Sequence, residues 1–323
     1  MRHAKDRPAG MSGACRVRGL HQLTRMFLML GMAALFTTQA TAASEFVGGD
    51  ICVECHKDVS DSFWTTTHGR KVNPRSPAAR QSCEHCHGPA SSHLDADTKE
   101  AARAAIKSYG RKGSVPVAKQ SDTCMECHQR GREYWDASTH KGKGLSCTSC
   151  HEIHGGNDAN LAKANATDLC ITCHLDIKAD LQKFSHHPIR EGKVGCTDCH
   201  NPHGTSSDKN IKANILNETC YECHAEKRGP FLWEHAPVQE NCTTCHSPHG
   251  SNYDKLLVAK RPFLCQRCHS NSRHPGTLYA LNPATNENPI YTVGSSRVYS
   301  RGCQNCHSTI HGSNHPSGKS LLR

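Results

Sequence analysis

The sequence lacks the material for a conventional core. Phe, Tyr and Trp together make up 5% of 323 residues. A chain of this length can form one large or two ordinary domains, yet so little apolar side chain cannot fill their interior. Something other than side chains must do so. Long hydrophobic runs are missing too. The longest, Met26 to Phe36, falls short of the roughly 20 residues a bilayer crossing takes. It follows Arg16, Arg18 and Arg25 and precedes Ala40-Thr41-Ala42, an A-x-A cleavage site. Residues 1–42 therefore read as a cleaved secretory signal peptide with a long charged start, translation beginning at Met1, Met11 or Met26. The remainder is expected to be exported and soluble. No basic run carries interleaved aromatics, which excludes nucleic acid as a partner. Six Lys and Arg and one Asp leave with the signal, so the formal charge of +10 drops to about +5. Methionine is nearly absent from the mature chain. Five of six lie in the signal, and Met125 sits between two cysteines, where it cannot easily reach a neighbouring site.

Cysteine and histidine, in contrast, are abundant, at 21 and 25. Cys15 lies in the signal. The other 20 fall without exception into ten Cys-x-x-Cys-His units: Cys52 and Cys55, Cys83 and Cys86, Cys124 and Cys127, Cys147 and Cys150, Cys170 and Cys173, Cys196 and Cys199, Cys220 and Cys223, Cys242 and Cys245, Cys265 and Cys268, Cys303 and Cys306. This is the attachment sequence of c-type haem. Two thiols three positions apart add to the two vinyl groups of one porphyrin, and the next residue reaches the iron. The proximal ligands are then His56, His87, His128, His151, His174, His200, His224, His246, His269 and His307. Zinc sites join two half-sites and do not require His after every second Cys. Ten small disulfide rings would leave the histidines without a role. Ten covalently attached haems also supply the missing core.

The far side of each iron decides between electron transfer and substrate chemistry. With methionine excluded, 13 mature histidines remain. Ten stand in recurring contexts: His154, His203, His249 and His311 shortly after a motif ("CHEIHG", "CHNPHG", "CHSPHG", "CHSTIHG"), His93 in "CHGPASSH", His68 and His140 ending "FWTTTH" and "YWDASTH", His186 and His235 in H-x-P, and His274 in "SRHPG". They match the ten haems in number and imply bis-His ligation throughout. His187 competes with His186, and His315 with His311. His85 is trapped inside its own motif. All three tryptophans precede a candidate distal His closely and suit stacking on a porphyrin.

The expected fold class is a multihaem cytochrome c: short α-helices and loops, little regular secondary structure, around an extended row of ten haems. Motif starts lie 22–26 residues apart except for gaps of 31, 41 and 38. The 41-residue gap predicts a helix capped by Asp97 and running to Tyr109, with Gly110 as its stop. A second helix is expected over 175–184, and a long loop with a hairpin over 270–302.

The stretches "CHAEKRGPFLWEHAPV", "RPFLCQRCHSNSRHPGTLY" and "CHSTIHGSNHPSG", with ten motifs and an export signal, resemble the periplasmic decahaem cytochromes of the MtrA/DmsE/PioA type. The resemblance covers nearly the whole mature chain. It implies two linked pentahaem halves, 43–190 and 191–323, with bis-His haems. It also implies a place inside or against an outer-membrane β-barrel porin, with periplasmic or inner-membrane cytochromes as donors. The outer partner would be a surface multihaem cytochrome or a reductase, with current in either direction. A chain without a membrane segment crosses a bilayer only through a polar lumen, which large barrels provide. A free periplasmic shuttle, or a multihaem reductase with an open axial site, are the alternatives.

Overall fold

In the computed structural model, residues 43–155, 163–269 and 302–322 are described. The signal peptide, the expected 270–302 loop and His274 lie outside them. Contacts gather Glu45–Arg323 into one unit, while Met1–Ser44 fall into another.

All ten haem motifs share one backbone form. The His N–H donates to the carbonyl of the first Cys at 2.8–3.0 Å in every copy. This is a single helical turn. It sets both thiols and the imidazole on one side, because positions three and four apart are neighbours on a helix. The motifs end or form short helices such as Gly49–Cys55, Val117–Met125, Leu216–Tyr221 and Phe263–Gln266, or 3₁₀ turns such as Cys147–Ser149 and Cys242–Thr244. Among the described residues there is no sheet, only isolated bridges: Ser185 with Ser251, His200 with Ile211, Trp233 with Ser313 and His246 with Leu257. No helix there is long and apolar enough to cross a membrane.

Consecutive motifs touch through their thiols in strict alternation. The first cysteines meet in the pairs Cys52–Cys83, Cys124–Cys147, Cys170–Cys196, Cys220–Cys242 and Cys265–Cys303. The second cysteines lie near one another in Cys86–Cys127, Cys150–Cys173, Cys199–Cys223 and Cys245–Cys268. Each motif thus has its chain neighbours on either side, as in a stacked array of repeats.

Few apolar side chains are buried: Phe63, Trp135, Leu181, Leu257, Leu321 and three alanines, outnumbered by buried polar residues. Among the described residues one buried side-chain polar atom, Trp135 Nε1, has no hydrogen-bond partner; the buried carboxylate and amide of Glu84 and Gln120 are held by networks. Glu84, 2% exposed, accepts from the backbone N–H groups of Val47, Gly48 and Ala90 at 2.8–3.2 Å. Gln120 donates to the carbonyls of Gly110 and Val115 and accepts from Ser146 and Thr148.

Two expected helices differ in extent. The first spans Lys99–Ala104 and is capped by Thr98, whose side chain accepts from Ala101 N–H at 3.1 Å, so Asp97 is not the cap. It ends early because the chain turns to bring the Lys107 carbonyl onto His87 and the Tyr109 hydroxyl onto the Cys86 carbonyl. The second spans Leu175–Asp180. Gly250 lies against the Asp180 carbonyl there, so near that a Cβ on Gly250 would stand 1.9 Å from it.

Candidate haem sites

Nine of the ten proximal histidines face another histidine. The pairs are His56–His93, His87–His154, His128–His68, His151–His203, His174–His140, His200–His249, His224–His187, His246–His311 and His269–His235. Their ring centroids lie 5.9–6.3 Å apart. Two imidazoles on opposite sides of one metal, each bonded at about 2.0–2.1 Å, give a centroid separation of about 6.3 Å. The rings therefore stand where an iron and the thickness of a porphyrin fit between them. Among the described residues no cluster of three or more His, Cys, Asp or Glu forms a metal cage. A haem, which brings four nitrogens of its own, needs only these two.

Eight of the facing histidines are those expected as distal. The ninth is His187, where the H-x-P pattern pointed to His186. His186 has both ring nitrogens engaged, Nδ1 donating to the Lys183 carbonyl at 2.8 Å and Nε2 on Glu191 at 3.2 Å. Those partners, the carbonyl first, hold its pKa above the usual 6.5. His187 donates from Nδ1 to the Pro248 carbonyl at 2.7 Å, and its ring faces that of His224 at 6.3 Å. The bridges explain the choice of register. Ser185 pairs with Ser251 as Trp233 pairs with Ser313, so His187, two residues on, is the counterpart of His235. His311, and not His315, faces His246; His315 is exposed and accepts at Nδ1 from Ser317 N–H. His307 donates to the Ser320 carbonyl, and its expected partner His274 lies outside the described residues. Trp135 is buried beside this framework, Trp64 packs edge-on against Phe63, and Trp233 is 40% exposed.

Carbonyls orient the other rings. Nδ1 donates to Lys107 from His87, to Lys209 from His200, to Lys255 from His246, to Ala102 from His93 and to Pro202 from His140, at 2.6–2.9 Å. A bonded Nδ1 fixes the tautomer and leaves Nε2 for metal. Burial first, and the facing histidine second, pushes His68, His154, His203, His235 and His249 below the usual 6.5. That favours the neutral imidazole, the form that ligates.

The pairs follow a two-motif repeat. His68, His140, His187 and His235 each pair with the second motif downstream, giving repeats that run to His128, His174, His224 and His269. The other motif of each repeat is faced by a histidine of the next: His87 by His154, His151 by His203, His200 by His249, His246 by His311. Repeats are thus linked in register. At three of these links a glycine permits the approach: a Cβ on Gly204 would lie 2.2 Å from the Tyr134 carbonyl, one on Gly250 1.9 Å from the Asp180 carbonyl, and one on Gly312 2.2 Å from the Phe231 ring. The sequence offers these histidines without showing this order. Its signal was present in the 46–48-residue recurrence of His140, His187 and His235 and of His203 and His249.

Paired thiols beside facing imidazoles, repeated in register, define a multihaem c-type cytochrome. Two family models agree: the doubled CXXCH motif matches residues 186–229 and 235–274, two of the repeats just described, and the cytochrome c-type protein NrfB-like family matches 83–173. The multiheme cytochrome MtrA of Shewanella baltica is 43% identical over 281 residues, covering 85% of this chain and 81% of that protein. The cytochrome c-type protein NrfB of Haemophilus influenzae is 28% identical over 143 residues, covering 38% and 63%. The chain belongs to the MtrA family of multihaem cytochromes. It carries haem c and transfers electrons; it is not an enzyme.

Proposed function

We propose that the protein holds ten haems, all bis-His, and conducts electrons through the outer membrane inside or against a β-barrel porin. It would link periplasmic cytochrome donors to an extracellular acceptor, by way of a surface cytochrome or reductase, or run in reverse. The observation that carries the reading is the set of nine facing histidine pairs in chain order. A haem with both axial positions filled cycles its iron between two oxidation states and binds no substrate. The twenty motif cysteines would anchor the ten haems, two to each, the facing histidines would hold the irons, and the carbonyls on Nδ1 of His87, His93, His140, His187, His200 and His246 would keep those rings in place. His187 replaces His186 in this ligand set, and His274 is kept for His307. Cysteines of successive motifs that lie near one another would bring their haems near one another as well.

The two pentahaem halves, 43–190 and 191–323, are part of this proposal. The pairs His151–His203 and His187–His224 each span the boundary, so the halves share two haem sites. The periplasm is the proposed compartment, reached through the signal at residues 1–42.

The test is haem quantification with low-temperature EPR and near-infrared magnetic circular dichroism on the oxidised, full-length protein. Ten haems, all low-spin with bis-His signatures, support the reading. A high-spin or methionine-ligated haem overturns it. Electron passage in liposomes only when a barrel partner is co-reconstituted would support the conduit.

A further inference from the structure

The first repeat carries an insertion that the others lack. From His68 to His128 it runs 60 residues, against 34–37 in the following three. Most of the excess lies between the motifs of His87 and His128. There, between Glu100 and Asp122, the chain has five cations and no anion: Arg103, Lys107, Arg111, Lys112 and Lys119. All five are exposed, and none joins an ion pair among the described residues.

The segment is strapped to one haem motif. The Lys107 carbonyl accepts from His87 Nδ1 at 2.6 Å. The Tyr109 hydroxyl donates to the Cys86 carbonyl at 2.6 Å, and its ring stands edge-on to His87 at 5.6 Å. The Lys107 side chain runs past Gly88, directly after the motif. The segment is also internally braced. Ser114 accepts from Ser108 N–H and donates to the Ile106 carbonyl, and Gln120 ties Gly110 to Val115. A braced surface loses little conformational freedom on binding.

We propose that Arg103–Lys119 is the docking surface for an acidic electron-transfer protein that exchanges electrons with the haem at His87. The inference rests on the electron-carrying function proposed above. Transient electron-transfer contacts are small, and complementary charge speeds their formation. A lipid surface fits less well. The apolar residues of the segment, Ile106, Val115 and Val117, are half-buried, so nothing is left to insert into a bilayer. One electron leaves the partner's reduced centre and one ferric haem becomes ferrous; no bond forms or breaks.

The experiment uses the full-length, haem-loaded protein and stopped-flow reduction by two donors. One is reduced plant-type ferredoxin, an acidic one-electron carrier; the other is the methyl viologen radical cation. One variant combines Arg103→Gln, Arg111→Gln, Lys112→Gln and Lys119→Gln, leaving Lys107, whose carbonyl holds His87, in place. A control of equal charge change combines Lys178→Gln, Lys193→Gln, Lys212→Gln and Lys227→Gln. The expected result is a fall of about tenfold or more in the ferredoxin rate at low ionic strength, with loss of its salt dependence, in the first variant only. Its viologen rate and low-spin haem spectrum stay at the parent level or the rate rises. An unchanged ferredoxin rate overturns the proposal, as does an equal fall in the control, which would report net charge alone. Binding of the parent to phosphatidylglycerol vesicles, lost in the first variant with ferredoxin kinetics intact, would reassign the surface to membrane. If the parent takes no electrons from viologen, the electron-carrying function fails first and the docking surface with it.

Discussion

Pockets closed within a repeat and pockets closed between repeats reach the same ring separation with different ring angles. The five formed by His93, His154, His203, His249 and His311 hold their two rings within 16–27° of parallel. Three of the four within-repeat pockets hold them at 51–81°. The exception is His235–His269, at 22°. There the histidine leans on the Ile310 carbonyl, where His140 and His187 lean on Pro202 and Pro248. The distance between rings is set by what must fit between them. For His140, His187 and His235 the carbonyl that holds the ring comes from beyond their own repeat, and the ring angle changes with it.

Removing one distal ring from each class tests this contrast most directly. His249→Ala should leave one high-spin haem and unlink two repeats, lowering the melting temperature by about 5 °C; His187→Ala should leave one high-spin haem and cost about 2 °C. By EPR, the first should remove a rhombic low-spin component and the second a highly anisotropic one. His186→Ala should change neither spectrum. Equal thermal losses, or a spectral change from His186→Ala, would break the comparison.

The links themselves come next. Gly250→Ala forces a Cβ onto the Asp180 carbonyl and should cost about 2–3 kcal/mol by denaturant unfolding. Gly192→Ala, with φ at +69° but open space around it, should cost only about 1 kcal/mol. Equal values would mean the repeats do not press together there. At the other end, Glu84→Ala removes the acceptor of the Val47, Gly48 and buried Ala90 N–H groups and should cost about 2 kcal/mol without altering any haem spectrum.

The smallest effect is a pH dependence. Asp136 bonds Lys141 and lies 3.4 Å from Arg132; the lysine first, then the arginine, holds its pKa below the usual 3.8. A lowered carboxyl contributes stability above its unfolded pKa and loses it as pH falls through the folded value. Asp136→Asn should therefore melt slightly lower at pH 7, with the gap closing as pH falls through the lowered folded-state value. A gap that persists in acid would trace the effect to packing.

The haem motifs were legible because covalent chemistry dictates their spacing, and so was the set of distal histidines by count. The pairing was not. His203 and His249 meet rings about fifty residues upstream, and only the fold brings them together. His186 satisfied the same H-x-P pattern as His235, but the Ser185–Ser251 bridge sets the register one residue later. The Lys99–Ala104 helix was legible as a helix and not in its end, because Lys107 and Tyr109 are drawn off by a motif about twenty residues back.

The interlocked pairing also divides the haems by time. A chain leaves the export channel from its N-terminus. With the proposed ligands, His68, His140, His187 and His235 are already outside when the motifs they serve emerge. The other five motifs wait for a histidine 37–67 residues further on, several seconds of synthesis at about 5–20 residues per second. Under the proposed ligation, those five irons would stand open on one side during maturation while their neighbours are closed. An added small ligand that captures iron should trap the between-repeat haems and spare the rest, so the finished wire carries in its ligand order the schedule by which it was built.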